Sequence, residues 1–182
     1  MAILDIVLEG DPRLRQKAIK VRGVDPSLRL LAADMHETMR DAPGVGLAAP
    51  QVGINRRLIV VHVPESYIEE GDPPTTMTLL NPEIVKAYGC VSGIEGCLSI
   101  PGWVGEVPRS ETITIKGVDL DNRPVRLKVH DFVARVLQHE IDHLDGILFV
   151  DRVEDKSTLR EVPEEDEVEG PLTEEEVAAL PE

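Results

Sequence analysis

The chain has 182 residues, of which 42% are hydrophobic, and its 34 acidic and 19 basic side chains give a formal net charge of −15. This length suits one domain with a hydrophobic core, and the core must be mainly aliphatic because aromatic residues make up only 3% of the chain. The negative charge argues against DNA binding through phosphates, and the absence of a run of eighteen apolar residues predicts no membrane span.

The first half of the chain predicts two helical segments and one strand. Residues 11–18 favour a short helical turn, and residues 26–40 an amphipathic helix. The apolar stripe of that helix consists of Leu28, Leu31, Met35 and Met39. A glycine-rich segment at 44–51 leads to a predicted strand at 58–63, and residues 64–76 form a polar loop.

The second half predicts three strands followed by a helix. The strands cover residues 77–86, 111–116 and 125–129, with a turn at Asp121-Asn122 before the last one. The helix covers residues 131–145, with Asp131 as its N-cap and Gly146 as its stop signal. These elements predict an α+β fold in which mostly antiparallel sheets pack around a late helix.

That late helix carries His139-Glu140-Ile141-Asp142-His143. Residues four apart share one face of a helix, so both imidazoles can bind one metal ion while Glu140 leans toward the same point. A catalytic site of this kind takes a third protein ligand and leaves one position open. The helix therefore predicts a metal-dependent hydrolase, provided that a third ligand exists.

Three sources of that ligand can be compared. A third histidine six residues after the second is excluded, because Phe149 stands there. A downstream glutamate would give a metallopeptidase, with Glu161, Glu164 or Glu165 as ligand. A thiolate is the third source, and the two cysteines of the chain are Cys90 and Cys97.

Both cysteines together would complete a closed structural zinc site with the two histidines. The spacing argues against this, because six residues separate the cysteines whereas structural pairs are usually two to four residues apart. We therefore expect Cys90 to be a buried apolar residue. A Cys90–Cys97 disulfide is a further alternative, but it suits a secreted protein and the N-terminus has no signal-peptide pattern.

Three motifs together resemble the peptide deformylases, the enzymes that remove the formyl group from the initiator methionine of new bacterial and organellar polypeptides. They are GVGLAAPQ at residues 44–51, EGCLS at 95–99 and QHEIDHLDG at 138–146. Their order and separation also match, and the likeness runs from about residue 3 to residue 152. The resemblance implies one catalytic domain at residues 1–152.

The resemblance also implies the roles of the site residues. Cys97, His139 and His143 would bind the metal with water in the fourth position, and Glu140 would transfer protons. Gln51 and the backbone N–H of Leu98 would stabilise the oxyanion. The implied metal is Fe²⁺, although a thiolate and two imidazoles also suit Zn²⁺, Ni²⁺ or Co²⁺.

Other assignments concern residues near the motifs. We expect Gly46, Val45, Phe132 and Val136 to contact the substrate and its methionine side chain. Glu95 is a candidate partner for a histidine N–H, because metal-bound imidazoles usually donate their second N–H to a carboxylate. Asp142 is either a solvated helix residue or an ion-pair partner of Arg109.

The location and partners follow from charge and from the resemblance. Residues 151–182 carry −10 of the net charge of −15, and we expect residues 153–182 to form an acidic, partly mobile tail. The substrates would be N-formyl-methionyl peptides emerging from the ribosome in the cytoplasm, without DNA or membrane as partners. A basic cluster at residues 13–22 leaves a ribosome contact open, whereas the acidic tail argues against docking through the C-terminus.

Overall fold

A computed structural model describes residues 2–68 and 75–162. Within this part, three α-helices and eight strands are connected by short turns and 3₁₀ segments. The helices are α1 (Pro26–Asp41), α2 (Asp131–Leu144) and α3 (Phe149–Arg152). The strands are β1 (Gly46–Ala48), β2 (Leu58–His62), β3 (Thr76–Tyr88), β4 (Val91–Cys97), β5 (Ile100–Arg109), β6 (Thr112–Val118), β7 (Pro124–His130) and β8 (Arg160–Glu161).

The strands form two antiparallel sheets. The larger sheet has the order β1-β2-β3-β6-β7, and the smaller one has the order β4-β5-β8. Helix α2 packs against β1, β2, β6 and β7. The predicted α+β fold with mostly antiparallel sheets around a late helix is therefore confirmed.

Strand β2 shows why the two long helices lie on opposite faces of the larger sheet. Side chains alternate between the faces of a strand. Ile59 and Val61 belong to the core cluster that contains α2, whereas Leu58 and Val60 belong to the cluster that contains α1. All four are fully buried, which explains why residues 58–61 of this strand are continuously apolar.

The ends of the helices follow local capping chemistry. The carboxylate of Asp25 accepts the N–H of Leu28 at the start of α1. Helix α2 begins at Asp131 with His130 as its N-cap, so the prediction that Asp131 is the N-cap was wrong. Helix α2 ends just before Gly146, whose φ of +75° suits glycine.

Most predicted elements agree with the structure within one or two residues, but the sequence patterns did not indicate strands β1, β4, β5 and β8. Part of the segment predicted as an acidic tail pairs with the smaller sheet, since Arg160 and Glu161 lie opposite Val104 and Trp103. Part of the predicted polar loop and residues 163–182 lie outside the described residues. Among the described helices, none has the length and apolar character needed to cross a membrane.

Candidate active site

Three metal-ligating side chains meet where strand β4 ends beside helix α2. Cys97 Sγ lies 3.2 Å from His143 Nε2, which lies 3.2 Å from His139 Nε2. Donor atoms of all three residues lie within 4.8 Å of one another, and they form the one such cluster found in the described residues. The predicted histidine pair therefore meets a thiol, although more than 40 residues of sequence separate Cys97 from His143.

Local structure explains how each ligand reaches this point. The histidines stand one turn apart on α2, and His143 is 1% exposed. Cys97 pairs with Ile100 across a two-residue turn, at a break in the β4–β5 register. The thiol therefore projects from the tip of a hairpin rather than from the middle of a sheet.

The spacing of these atoms fits a metal centre. Ligands placed tetrahedrally at 2.0–2.3 Å from an ion lie roughly 3.3–3.8 Å apart. The observed separations of 3.2 Å come close to that range. Burial lowers the pKa of His143 well below its ordinary value, which favours the neutral imidazole that a metal ion requires.

Glu95 orients the first histidine. The Nδ1–H of His139 donates to Glu95 Oε2 over 2.9 Å, which leaves Nε2 with its lone pair facing Cys97 and His143. Burial alone would raise the pKa of Glu95, but hydrogen bonds from Arg109 and His139 outweigh burial and hold the pKa well below its ordinary value. Glu95 is therefore a buried carboxylate anion.

Glu140 lies next to the ligand cluster and is buried with it. It is 4% exposed, and within the described residues its buried Oε2 has no hydrogen-bond partner. Burial raises the pKa of this carboxyl to about 7. A carboxyl group with such a pKa can both accept and donate a proton near neutral pH.

The amide of Gln51 is held in one orientation beside the thiol. Its Oε1 accepts the backbone N–H of Ala48 at 2.8 Å, so the opposite end of the amide must be the NH₂ group. This Nε2 donates to Ser99 Oγ at 3.2 Å and to Cys97 Sγ at 3.6 Å. Gln51 therefore presents a donor at the ligand cluster, as an oxyanion site requires.

A cavity of about 290 Å³ opens beside these groups. Its wall includes Cys97, Leu98, His139, Glu140 and Gln51. The four residues predicted to contact the substrate also line it, namely Val45, Gly46, Phe132 and Val136. The cavity thus joins a polar reactive end to an apolar wall, which is a common composition for a small-substrate pocket.

Comparison with known proteins identifies the family. The family description "Polypeptide deformylase" matches residues 3–158. A peptide deformylase of Thermomicrobium roseum is 63% identical over 167 residues, which cover 92% of this chain and 95% of the relative. The chain belongs to the polypeptide deformylase family. It is therefore an enzyme that removes the N-formyl group from newly synthesised polypeptides.

Other deformylases agree with this assignment. The enzyme of Roseiflexus castenholzii is 50% identical over 162 residues, covering 84% of this chain and 86% of that one. The crystal structure of the Thermus thermophilus deformylase has a TM-score of 0.75 and 45% identity, over 86% of this chain and 88% of that one. The Ehrlichia chaffeensis deformylase in complex with actinonin has a TM-score of 0.81 and 37% identity, over 87% and 92%.

The structure also tests the two alternative ligand sets. Cys90 was expected to be buried, and this was wrong, since the residue is exposed. It precedes β4 whereas Cys97 ends that strand, so roughly 20 Å of extended chain separates the two residues. Both cysteines are free, which removes the disulfide and the closed zinc site within the described residues.

The downstream glutamate does not join the site either. Glu161 is exposed on β8 opposite Trp103 and is absent from the ligand cluster of the described residues. Glu164 and Glu165 lie outside the described residues. The thiolate is thus the third ligand that this deformylase fold presents to its histidines.

Sequence reasoning missed several residues around the site. They are Ser99, which contacts Gln51, and Arg135 and Val162, which line the cavity. Neither metal-ligand spacing nor helical periodicity indicates these three residues in the sequence. Asp142 was left between two interpretations, and the structure shows that it is a buried ion-pair partner of Arg109. The neighbouring EGCLS motif was the one signal that could have drawn attention to Ser99.

Proposed function

We propose that Cys97, His139 and His143 hold one divalent metal ion and that Glu140 is the general base and acid of deformylation. The observation that carries this proposal is the meeting of one thiol and two imidazole nitrogens beside a buried carboxylate oxygen that lacks a partner in the described residues. When bound, the ion supplies Lewis acidity that activates water and polarises the formyl oxygen.

Glu140 would move two protons during the reaction. It accepts one from the attacking water and later gives one to the amine nitrogen as the C–N bond of the formamide breaks. The products are then formate and a free N-terminus. The pKa of about 7 suits both steps, because proton transfer in either direction costs little near neutral pH.

Gln51 and Leu98 would stabilise the negative charge on the formyl oxygen. The Gln51 amide is aimed by Ala48 and Ser99, so no reorientation is needed as charge develops. Leu98 lies in the turn directly after Cys97 and lines the same cavity. Loss of one such donor typically lowers kcat by about 10²–10³-fold.

The methionine side chain would lie along the apolar wall of the cavity. Val45, Phe132 and Val136 supply side chains there, and Gly46 adds backbone to the same wall. A Val136→Phe substitution should fill this space, so it should reduce kcat/KM for formyl-Met peptides more than for formyl-Ala peptides. Equal losses for both substrates would place the methionine elsewhere.

For the metal we propose Fe²⁺, which the family resemblance implies. The donor set of one sulfur and two nitrogens also accepts Zn²⁺, Ni²⁺ and Co²⁺, because these ions share a preference for thiolate and imidazole ligands. Metal analysis of protein purified without oxygen tests the assignment. Stoichiometric zinc and no iron under those conditions would contradict it.

A variant series tests the roles of the ligands and the base. Glu140→Gln keeps the shape of the side chain but cannot accept a proton, so we expect normal metal content and a loss of formate release. Cys97→Ser should reduce metal content itself, whereas Cys90→Ser, on an exposed residue outside the cluster, serves as the control. A fully active Glu140→Gln protein would contradict the proposed base.

We further propose that the enzyme works in the cytoplasm on formyl-methionyl chains as they leave the ribosome. The free cysteine Cys97 supports this, because it would have to stay unoxidised to bind metal and a reducing compartment keeps it so. The basic cluster offers little support for RNA docking. Ion pairs within the protein occupy four of its cations, namely Arg13 with Asp11, Arg15 with Asp151, Lys17 with Asp145 and Lys20 with Glu83.

We also propose that residues 1–152 contain all groups needed for the chemistry. Every proposed ligand and catalytic group lies in that range, although Val162 contributes to the cavity wall. A chain ending after Val162 should therefore keep its kcat for short formylated peptides. A large loss of kcat would assign a catalytic contribution to residues 163–182.

A further inference from the structure

A buried arginine connects the two elements that carry the metal ligands. Arg109 ends β5 and is 5% exposed. Its Nε and Nη2 donate to the two oxygens of Glu95, each over 2.9 Å, and its Nη1 donates to Asp142 Oδ2 over 2.5 Å. One guanidinium thus bridges a carboxylate of β4 and a carboxylate of α2.

Both carboxylates of this bridge lie close in sequence to a proposed metal ligand. Glu95 lies two residues before Cys97 on β4, and Asp142 lies directly before His143 on α2. A shift of α2 along β4 would break the Arg109 bridge and, in the same movement, separate the thiol from the imidazole. The bridge therefore fixes the same distance that the metal site requires.

A second arginine supports Asp142 from the protein surface. Arg152, the last residue of α3, donates from Nη2 to Asp142 Oδ1 at 2.7 Å and from Nε to Oδ2 at 3.1 Å. Its side chain is 46% exposed and borders a surface cleft of about 500 Å³ that Arg109 and Asp142 also line. The chain of contacts runs from this cleft through Asp142, Arg109 and Glu95 to His139.

We propose that Arg109 is a positioning residue that holds β4 and α2 in the register at which the metal ligands meet, and that Asp142 and Arg152 act on the site through it. This inference rests on the proposed metal function. Arginine is required because its planar fork makes three directed bonds at once, whereas a lysine ammonium is a single point of charge.

A purely structural ion-pair network is the competing explanation. Loss of one partner of a buried pair leaves an uncompensated charge, so variants will lose stability under either explanation. Release of metal from the folded protein separates the two. A positioning role predicts faster release under conditions in which the variant remains native, whereas a structural role predicts release only with global unfolding.

The experiment tests the variants Arg109→Lys and Asp142→Asn. The same two substitutions in an exposed ion pair, Arg29→Lys and Asp121→Asn, are the controls. Each protein is loaded with Co²⁺, and transfer of the ion to a chelator is timed. We expect release to be about 10- to 100-fold faster in the two network variants, in line with the usual effect of residues that orient metal ligands. The visible Co²⁺ absorption should also change in them, and the controls should match the parent protein.

The double variant tests whether Asp142 acts through Arg109. If it does, Asp142→Asn should add little to the release rate of the Arg109→Lys protein, whereas independent effects would multiply. Independent multiplication would overturn that part of the proposal. Unchanged release rates and spectra in the single variants, with only the free energy of unfolding reduced, would overturn the positioning role.

Co²⁺ binding by the unsubstituted protein distinguishes a failure of the positioning role from a failure of the proposed metal site. Failure of the unsubstituted protein to bind one Co²⁺ would refute the metal site itself. Stoichiometric binding by the parent protein, with unchanged release from Arg109→Lys, would refute the positioning role alone.

Discussion

Gly46 lies directly against the carboxyl group of Glu140. A Cβ added at Gly46 would come within 2.8 Å of Glu140 Cδ and 2.9 Å of its Cγ, which is closer than real side-chain contacts allow. Strand β1 can thus border the reactive carboxylate because residue 46 has no side chain. The second glycine of the GVGLAAPQ motif is explained by space for Glu140, since its φ lies outside the left-handed region.

Gly46→Ala should therefore displace Glu140 and lower kcat by about 100-fold, the usual cost of moving a reacting group by about 1 Å. Metal content should stay normal because the ligands are untouched. Formate release and metal analysis measure the two effects. Gly23→Ala is the matched control, since a Cβ there meets nothing within 4 Å. A fully active Gly46→Ala protein would show that Glu140 has room to move without cost.

Ser99→Ala should impair the reaction through Gln51. Ser99 is fully buried, and its hydroxyl oxygen accepts the amide N–H that Gln51 turns toward the site. Without this acceptor the amide loses one of its anchors, so we expect kcat to fall by about 10-fold while KM changes less. Steady-state kinetics with a formyl-Met peptide provides the measurement. Ser92→Ala, on an exposed residue of the neighbouring strand β4, should have no effect.

His36 should make the stability depend on pH. Burial, with the charges of Arg40 and His62, lowers its pKa below the ordinary value of 6.5, and its Nε2 lies 3.0 Å from Thr78 Oγ1. A histidine whose pKa is lower in the folded state contributes stability above its unfolded pKa. That contribution is lost as pH falls through the window between about 6.5 and the lower folded value.

Urea unfolding at about pH 7.5 and about pH 5.5 tests this sign, with the two values on either side of the ordinary histidine pKa. The free energy of unfolding should drop toward the lower pH, and His36→Gln should show a smaller drop than the parent protein. An equal drop in both proteins would assign the pH dependence to other groups.

Metal binding should stabilise the fold, because the ligands come from β4 and α2 and meet only in the native state. With free metal at a hundred times Kd, the free energy of unfolding should rise by about 2.7 kcal/mol relative to chelator-treated protein. Thermal or urea unfolding measures the difference. His143→Ala should abolish this response, and a retained response would indicate a second metal site.

The sequence by itself determined the elements whose signals are local. The spacing of Leu28, Met35 and Met39 specifies one face of α1, and the apolar run of β2 specifies a strand, because such patterns depend only on near neighbours. The same rule placed His139 and His143 on one face of α2. The resemblance of three motifs to the peptide deformylases then implied Cys97 as the third ligand and deformylation as the reaction, but it did not show where the sulfur lies.

Only the tertiary structure decided which distant groups meet. Three contacts depend on how sheets and helices pack against each other. They are the bridge from Glu95 through Arg109 to Asp142, the contact between Gly46 and Glu140, and the position of Val162 in the cavity wall. Cys90 is exposed just before strand β4, and no periodic pattern in the sequence indicated that strand. Such contacts join residues far apart in sequence, so their physical cause is the packing of whole elements rather than any local preference.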